Sequence, residues 1–279
     1  DYLTLAAARR SKRIDYARIR LCGSVAFLAA NLAGGALLGV LGNQVAVPLL
    51  LTGLALVATA VAASGREAAP AVAPLPERGV SPPLPRVLWL SIAAAALIQA
   101  SHAAIYAFGS LDWARHGVSP PWIGTLWAIG VAAEIALFAW VGRWPARWRS
   151  PFRLLGLGAG AALLRALGLS LADGEIALLL PLQMLHGLTF GATHLGVMAA
   201  VSGFAPEGAR GRAQGTGGAS TAPASALATL ACGAVYRSLG GSATFLMMAP
   251  LALAGLALVA LAQRRHDPRR FGGGSTRKV

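Results

Sequence analysis

With 279 residues, 56% of them hydrophobic, only 12% charged and a mean hydropathy of +0.62, the chain is too apolar for a water-soluble domain and reads as an integral membrane protein. The net charge of +14 does not mark a nucleic-acid binder, because the arginines stand in short clusters between apolar runs and form no basic face with interleaved aromatics. Cys22 and Cys232 are the only cysteines and both lie inside apolar segments, which argues against a disulfide framework or a thiolate metal site.

The chain opens at Asp1 in mid-pattern, without an initiator methionine or signal peptide, and is expected to be a fragment. Apolar runs of about 20 residues predict eight complete spans, at 18 to 40, 44 to 64, 86 to 108, 121 to 142, 152 to 172, 176 to 204, 212 to 237 and 242 to 263. Short connections such as Asp173-Gly174 suit helical hairpins. Residues 65 to 85 differ, for GREAAPAVAPLPERGVSPPLP carries six prolines and predicts an extended linker. The expected organisation is a remainder of a first half over 1–64, a linker over 65–85, a six-helix second half over 86–263 and a disordered basic tail over 264–279.

Basic residues alternate with the spans. All but Arg115, Arg165 and Arg237 fall on one side, in clusters such as Arg9 to Arg20, Arg143 to Arg153 and Arg264 to Lys278. Positively charged loops stay cytoplasmic, so linker and C-terminus are expected there, with the tail near anionic lipid. A bacterial cytoplasmic membrane fits this pattern.

The first complete span opens RIRLCG and the seventh RGRAQG, so Arg18, Arg20 and Gly23 recur at one fixed offset as Arg210, Arg212 and Gly215. Both copies open the penultimate span of a block. By the same offset residues 1 to 12 correspond to 193 to 204, and symmetry predicts about twelve spans in two halves, with roughly 100 residues preceding Asp1. The 279 residues alone are then expected not to transport.

Four neighbouring spans carry polar residues far from their ends. The third has Gln99, His102 and Tyr106 at helical spacing on one face; the fourth has Glu134, with Trp127 and Phe138 on the same side; the fifth has Arg165. The sixth, LLLPLQMLHGLTFGATHLGVM, is the most polar. At about 100° per residue, Gln183, His186, Phe190, Thr193 and His194 fall within roughly 80° of His186 and form one stripe. Polar groups at membrane depth are costly without partners or water, so the stripe is expected to face protein or an aqueous cavity.

Glu134 and Arg165 each lie about 13 residues, or ~20 Å, from the start of their spans. Each needs a partner, either the other or His186 around a wet cavity. Such a carboxylate suits proton uptake and release. The plainer alternatives are a structural Glu–Arg pair, cross-helix bonds for Gln99 and Tyr106, packing roles for His102 and His194, and backbone-satisfying hydroxyls at Thr189 and Thr193. GLGAG at 156–160 and GTGGAS at 215–220 read as helix-packing sites, since neither follows a strand nor carries the lysine of a phosphate loop.

QASHAAIYAFGSLDW, IGTLWAIGVAAEIALF and LQMLHGLTFGATH together resemble the lactose-permease-like and phenylpropionic-acid-transporter-like proton symporters of the major facilitator superfamily, over nearly the whole chain. The resemblance implies an all-α membrane fold, with about eight complete helices present of an expected twelve. It implies that Glu134 matches the acidic sugar-binding position of the sugar permeases, Arg165 their intramembrane arginine and His186 their histidine in the next helix. Arg20 matches a substrate-binding arginine and Asp1 its acidic partner. Thr189 departs: the sugar permeases have there the glutamate that carries the coupled proton. That favours the aromatic-acid group and moves the proton to Glu134, His186 or an acid N-terminal to the chain. The facilitator loop signature is reduced to GRWPARWR.

The expected function is proton-coupled symport of a small aromatic carboxylate, with Arg165 or Arg20 on the carboxylate and Tyr106, Trp127 and Phe190 around the ring. No cofactor or metal is expected, and the partners are a small organic solute, protons and lipid, in a monomer. A sugar or nucleoside symporter is the alternative. An intramembrane enzyme using His186, His194 and Glu134 is disfavoured by the lack of HExxH or of a nucleophile beside a base, and a transport-dead sensor stays open.

Overall fold

The computed structural model describes residues 82–266 throughout, the helix Asn43–Ser64 and short stretches between 19 and 41. Most of the expected first span, the linker up to residue 81, the tail beyond His266, and Asp1 and Arg20 lie outside the described residues. The described residues are helical, with no strand among them, and fall into two units: one within Cys22–Ser81, the other containing Pro82–His266.

In the smaller unit α1, Asn43–Ser64, is apolar over most of its length from Pro48 onward, and Pro48 stands inside the helix in its second turn. The larger unit holds α2 (Arg86–Arg115), α3 (Pro120–Trp140), α4 (Pro151–Ser170), α5 (Ile176–Phe204), α6 (Arg210–Leu246) and α7 (Ala249–His266). Among the described residues five helical stretches are long and apolar enough to cross a membrane, and the longest, Arg210–His266, comprises α6 and α7. It is not one rod. Gly240 has φ 80° and ψ −171°, a conformation that side-chain-bearing residues rarely adopt, and this break falls in the gap expected between spans 212–237 and 242–263. The α4–α5 hairpin turns where Asp173-Gly174 predicted, both with positive φ. Ser150 and Pro151 set the start of α4, the serine hydroxyl accepting from the Arg153 N–H.

Within the larger unit α2 packs on α6 and α7, α4 on α5 and α7, and α3 on α5. The polarity is inverted relative to a soluble bundle. Leu164, Leu171, Leu227, Leu230 and Leu239 are exposed, whereas His102, Glu134, Arg165, Gln183, His186 and Thr189 are buried. A lipid surround requires that arrangement.

Two helices are not α throughout. In α2 the chain passes through a loosened turn at Ser101-His102 into a π-helix at Ile105–Gly109, and α5 carries a π-helix at Gly187–Ala192. A π turn inserts extra backbone and rotates the C-terminal part of its helix relative to the N-terminal part. The single stripe expected on α5 is therefore divided: Gln183 and His186, with Thr189, turn into the helix packing, while Phe190, Thr193 and His194 face a cavity.

The π segment of α5 lies against α3 because Gly187 allows it. A Cβ at Gly187 would stand 2.7 Å from the Ala133 carbonyl oxygen and 3.2 Å from the Glu134 amide nitrogen. Both are backbone atoms, so the helices themselves must separate. Gly187→Ala is expected to destabilise the protein by about 1–3 kcal/mol in detergent unfolding. Gly156→Ala, where a Cβ meets nothing within 4 Å, should be neutral or slightly stabilising. Equal effects of the two changes would contradict this account of the crossing.

Candidate functional site

The antiparallel course of α3 and α4 fixes what Glu134 and Arg165 can reach. Each is ~20 Å from the start of its own helix, but those starts lie at opposite membrane surfaces, so the two groups are offset in depth. His186 fills the gap. The Arg165 Nη1 lies 3.4 Å from His186 Nδ1, and His186 Nε2 lies 3.8 Å from a Glu134 carboxylate oxygen. A guanidinium only donates, so Nδ1 accepts, and the ring proton resides on Nε2 facing Glu134. Of the two pairings that the sequence left open, the histidine-bridged one is present.

Gln183 completes the arginine's coordination. Its side-chain carbonyl accepts from Arg165 Nη2, and its amide donates to the Leu126 carbonyl at 3.2 Å, joining α3, α4 and α5. The sequence placed Gln183 on the polar stripe but not in the site. Its full burial is explained only by this clamp.

His102 and Thr189 form a second buried pair. His102 Nδ1 lies 3.2 Å from the Ile98 carbonyl and 3.1 Å from that of Gln99, so it donates, and Nε2 accepts from the Thr189 hydroxyl at 2.8 Å. Thr189 Oγ1 also lies 3.3 Å from the His186 carbonyl, but its one hydrogen goes to the nearer His102 Nε2, so a cross-helix bond takes the place of the backbone-satisfying role expected of it. Thr193 behaves otherwise. Its hydroxyl is buried against Gly158, and no hydrogen-bond partner is found for it.

A cavity of about 690 Å³ opens between α2, α5 and α6. Gln99, Tyr106, Phe190, Thr193 and His194 line it from α2 and α5. From α6 come Gln214, Thr221, Ser225 and Thr229, at spacings that bring them to one face. Sequence reasoning singled out GTGGAS at 215–220 for packing or bending and passed over the flanking residues; the signal was the recurrence of hydroxyl residues every four positions at Thr221, Ser225 and Thr229. Tyr106 forms the partition between cavity and buried polar line. It stacks on His102 at 5.4 Å and meets the His186 ring at 6.3 Å, and His186 stacks on Phe190 at 5.5 Å.

Two expectations about the ring and carboxylate contacts change. Trp127 does not line the cavity; it stands 6.0 Å behind Tyr106 and donates its indole N–H to Ser110 at 2.9 Å. Arg165 does not line it either, being buried and engaged with Gln183 and His186. Among the described residues the cavity wall carries no arginine, lysine or carboxylate.

Removing the clamp exposes its value. Gln183→Leu leaves an Arg165 Nη2 hydrogen and the Leu126 carbonyl without their partner, and a loss of about 2 kcal/mol is expected in detergent unfolding. An unchanged unfolding midpoint would contradict the clamp.

A sequence model of the MFS_1 like family matches residues 1–247. The probable 3-phenylpropionic acid transporter of Escherichia coli (strain K12) is 31% identical over 196 residues, which are 66% of this chain and 49% of that protein. The chain thus spans about half the length of that curated relative. No solved structure matches. The family match runs through the helices that carry Glu134, Arg165, His186 and the cavity, and the chain belongs to the MFS_1 like family, of the major facilitator superfamily.

Proposed function

We propose that this chain is part of a proton-coupled secondary transporter that carries a small aromatic carboxylate, such as a phenylpropionate, across a bacterial cytoplasmic membrane. One observation supports it most: the Glu134–His186–Arg165 line lies directly behind a cavity wall made by Tyr106 and Phe190. A ring seated on those two side chains would touch the same residues that hold the buried titratable groups. In this reading a proton on Glu134 cancels the charge opposite His186 Nε2, loosens the crossing of α3 and α5, and biases the exchange between inward- and outward-facing states. Arg165 acts through His186 as a positioning residue. Recognition of the carboxylate then falls to Arg20, with Asp1 as its partner.

The halves 1–64 and 86–263 would move about the linker 65–85, with linker and tail 264–279 cytoplasmic and the protein monomeric. Catalysis is not proposed for it. A sugar or nucleoside symporter is favoured by one observation, the uncharged and hydroxyl-bearing wall from Gln99, Gln214, Thr221, Ser225 and Thr229.

Uptake of labelled phenylpropionate by cells expressing the full-length protein tests the proposal. Accumulation should collapse when a protonophore removes the gradient, and Glu134→Gln should lower it by about tenfold or more. Accumulation that ignores the gradient, or an unaffected Glu134→Gln, would sink the coupling. Competition by a neutral glycoside but not by phenylpropionate would move the assignment to the sugar or nucleoside class.

A further inference from the structure

A second cavity, of about 20 Å³, is lined by Ser101, His102, Arg165, Thr189, Phe245 and Met248 among others. A water molecule needs ~10–15 Å³ on the same measure, so there is room for one. Three polar groups at this cavity have a definite hydrogen-bond account. Arg165 is 4% exposed, its two terminal nitrogens go to His186 and Gln183, and its Nε–H finds no partner in the protein. The Ser101 hydroxyl spends its hydrogen on the Ile98 carbonyl at 2.6 Å. The Thr189 hydroxyl spends its own on His102 Nε2 at 2.8 Å rather than on the His186 carbonyl at 3.3 Å, because His102 Nδ1 already carries the ring proton.

One donor and two acceptors therefore remain for an occupant. It must supply one acceptor and two donors within the volume of a single small molecule. A halide brings no hydrogen and would meet oxygen lone pairs at Ser101 and Thr189. An ammonium ion brings no acceptor for Arg165 Nε–H and sets a second cation beside the guanidinium. Water satisfies all three, with the three hydrogen bonds typical of a buried water.

We propose that this cavity is a built hydration site, in which one water accepts from Arg165 Nε–H and donates to Ser101 Oγ and Thr189 Oγ1. The water links the two buried polar groups. Glu134, His186 and Arg165 on one side and Thr189 and His102 on the other become one line across α2, α3, α4 and α5. Thr189, with no acid of its own, takes part through its hydroxyl. The site rests on the geometry of the buried line alone and does not depend on the identity of the transported solute.

Radiolytic labelling reads it directly. The full chain in detergent is diluted into H₂¹⁸O, irradiated with brief X-ray pulses and analysed by mass spectrometry at Met248 and Phe245, which are only 3% and 2% exposed. A confined water generates hydroxyl radical in place. Met248 should be oxidised despite its burial, and its ¹⁸O should appear later than at exposed sites. Ala166→Val and Ala162→Val each add methyl groups to the cavity lining and should lower Met248 oxidation about tenfold. Ser101→Ala keeps the space and removes one acceptor, and should speed the ¹⁸O exchange. If either valine variant fails to give a normal unfolding transition, the ¹⁸O delay in the unaltered protein decides alone. An unoxidised Met248, oxidation undiminished in a folded valine variant, or ¹⁸O arriving as fast as at exposed sites overturns the proposal.

Discussion

A guanidinium buried at membrane depth must be surrounded by acceptors, and the larger unit is arranged around meeting that need for Arg165. Taking such a charge out of water costs several kcal/mol unless its hydrogens are received and a counter-charge is near. Gln183 receives one side and His186 Nδ1 another, and Glu134 supplies the negative charge one imidazole away. Because arginine gives hydrogens only, the ring is oriented with Nδ1 bare and its proton directed at Glu134. A proton on His186 Nδ1 would confront Arg165, whereas Nε2 faces the Glu134 carboxylate.

The helix geometry serves this line and separates it from the cavity. Gly187 brings the π segment of α5 onto the backbone of α3 beside Glu134. The π turns then split polar residues that an ideal helix would present together. His102, Gln183, His186 and Thr189 go into the packing; Gln99, Tyr106, Phe190 and His194 go to the cavity. Aromatic rings make the boundary between them. Tyr106 and Phe190 therefore separate the cavity on one side from the buried titratable groups on the other.

Much of this was legible in the sequence for energetic reasons. Intramembrane Glu134 and Arg165 each called for a partner because of that cost, and His186 was one of the two partners the sequence left open. The turn at Asp173-Gly174 followed from residues tolerant of positive φ, and the break at Gly240 falls in the gap that the lengths of the apolar runs left there. What failed was geometry that depends on register. Periodicity at 100° per residue cannot foresee a π segment, so it joined Gln183 and His186 to Phe190 and His194 in one stripe. It also could not tell a lining arginine from a buried one, since Arg165 is committed by contacts from α5 that no local pattern encodes. The stripe Gln214, Thr221, Ser225 and Thr229 was available to inspection, but its residues are uncharged and it lies on a helix whose glycines drew the packing reading.

The tautomer of His186 carries the central claim. Nitrogen-15 NMR of the full-length protein with labelled histidine, assigned through His186→Gln, would report which ring nitrogen holds the proton at neutral pH. The structure requires Nε2–H with a bare, hydrogen-bonded Nδ1, and a changed Nε2 signal in Glu134→Gln. A proton on Nδ1, whether in the other tautomer or in the imidazolium, would contradict the arginine–histidine–glutamate line.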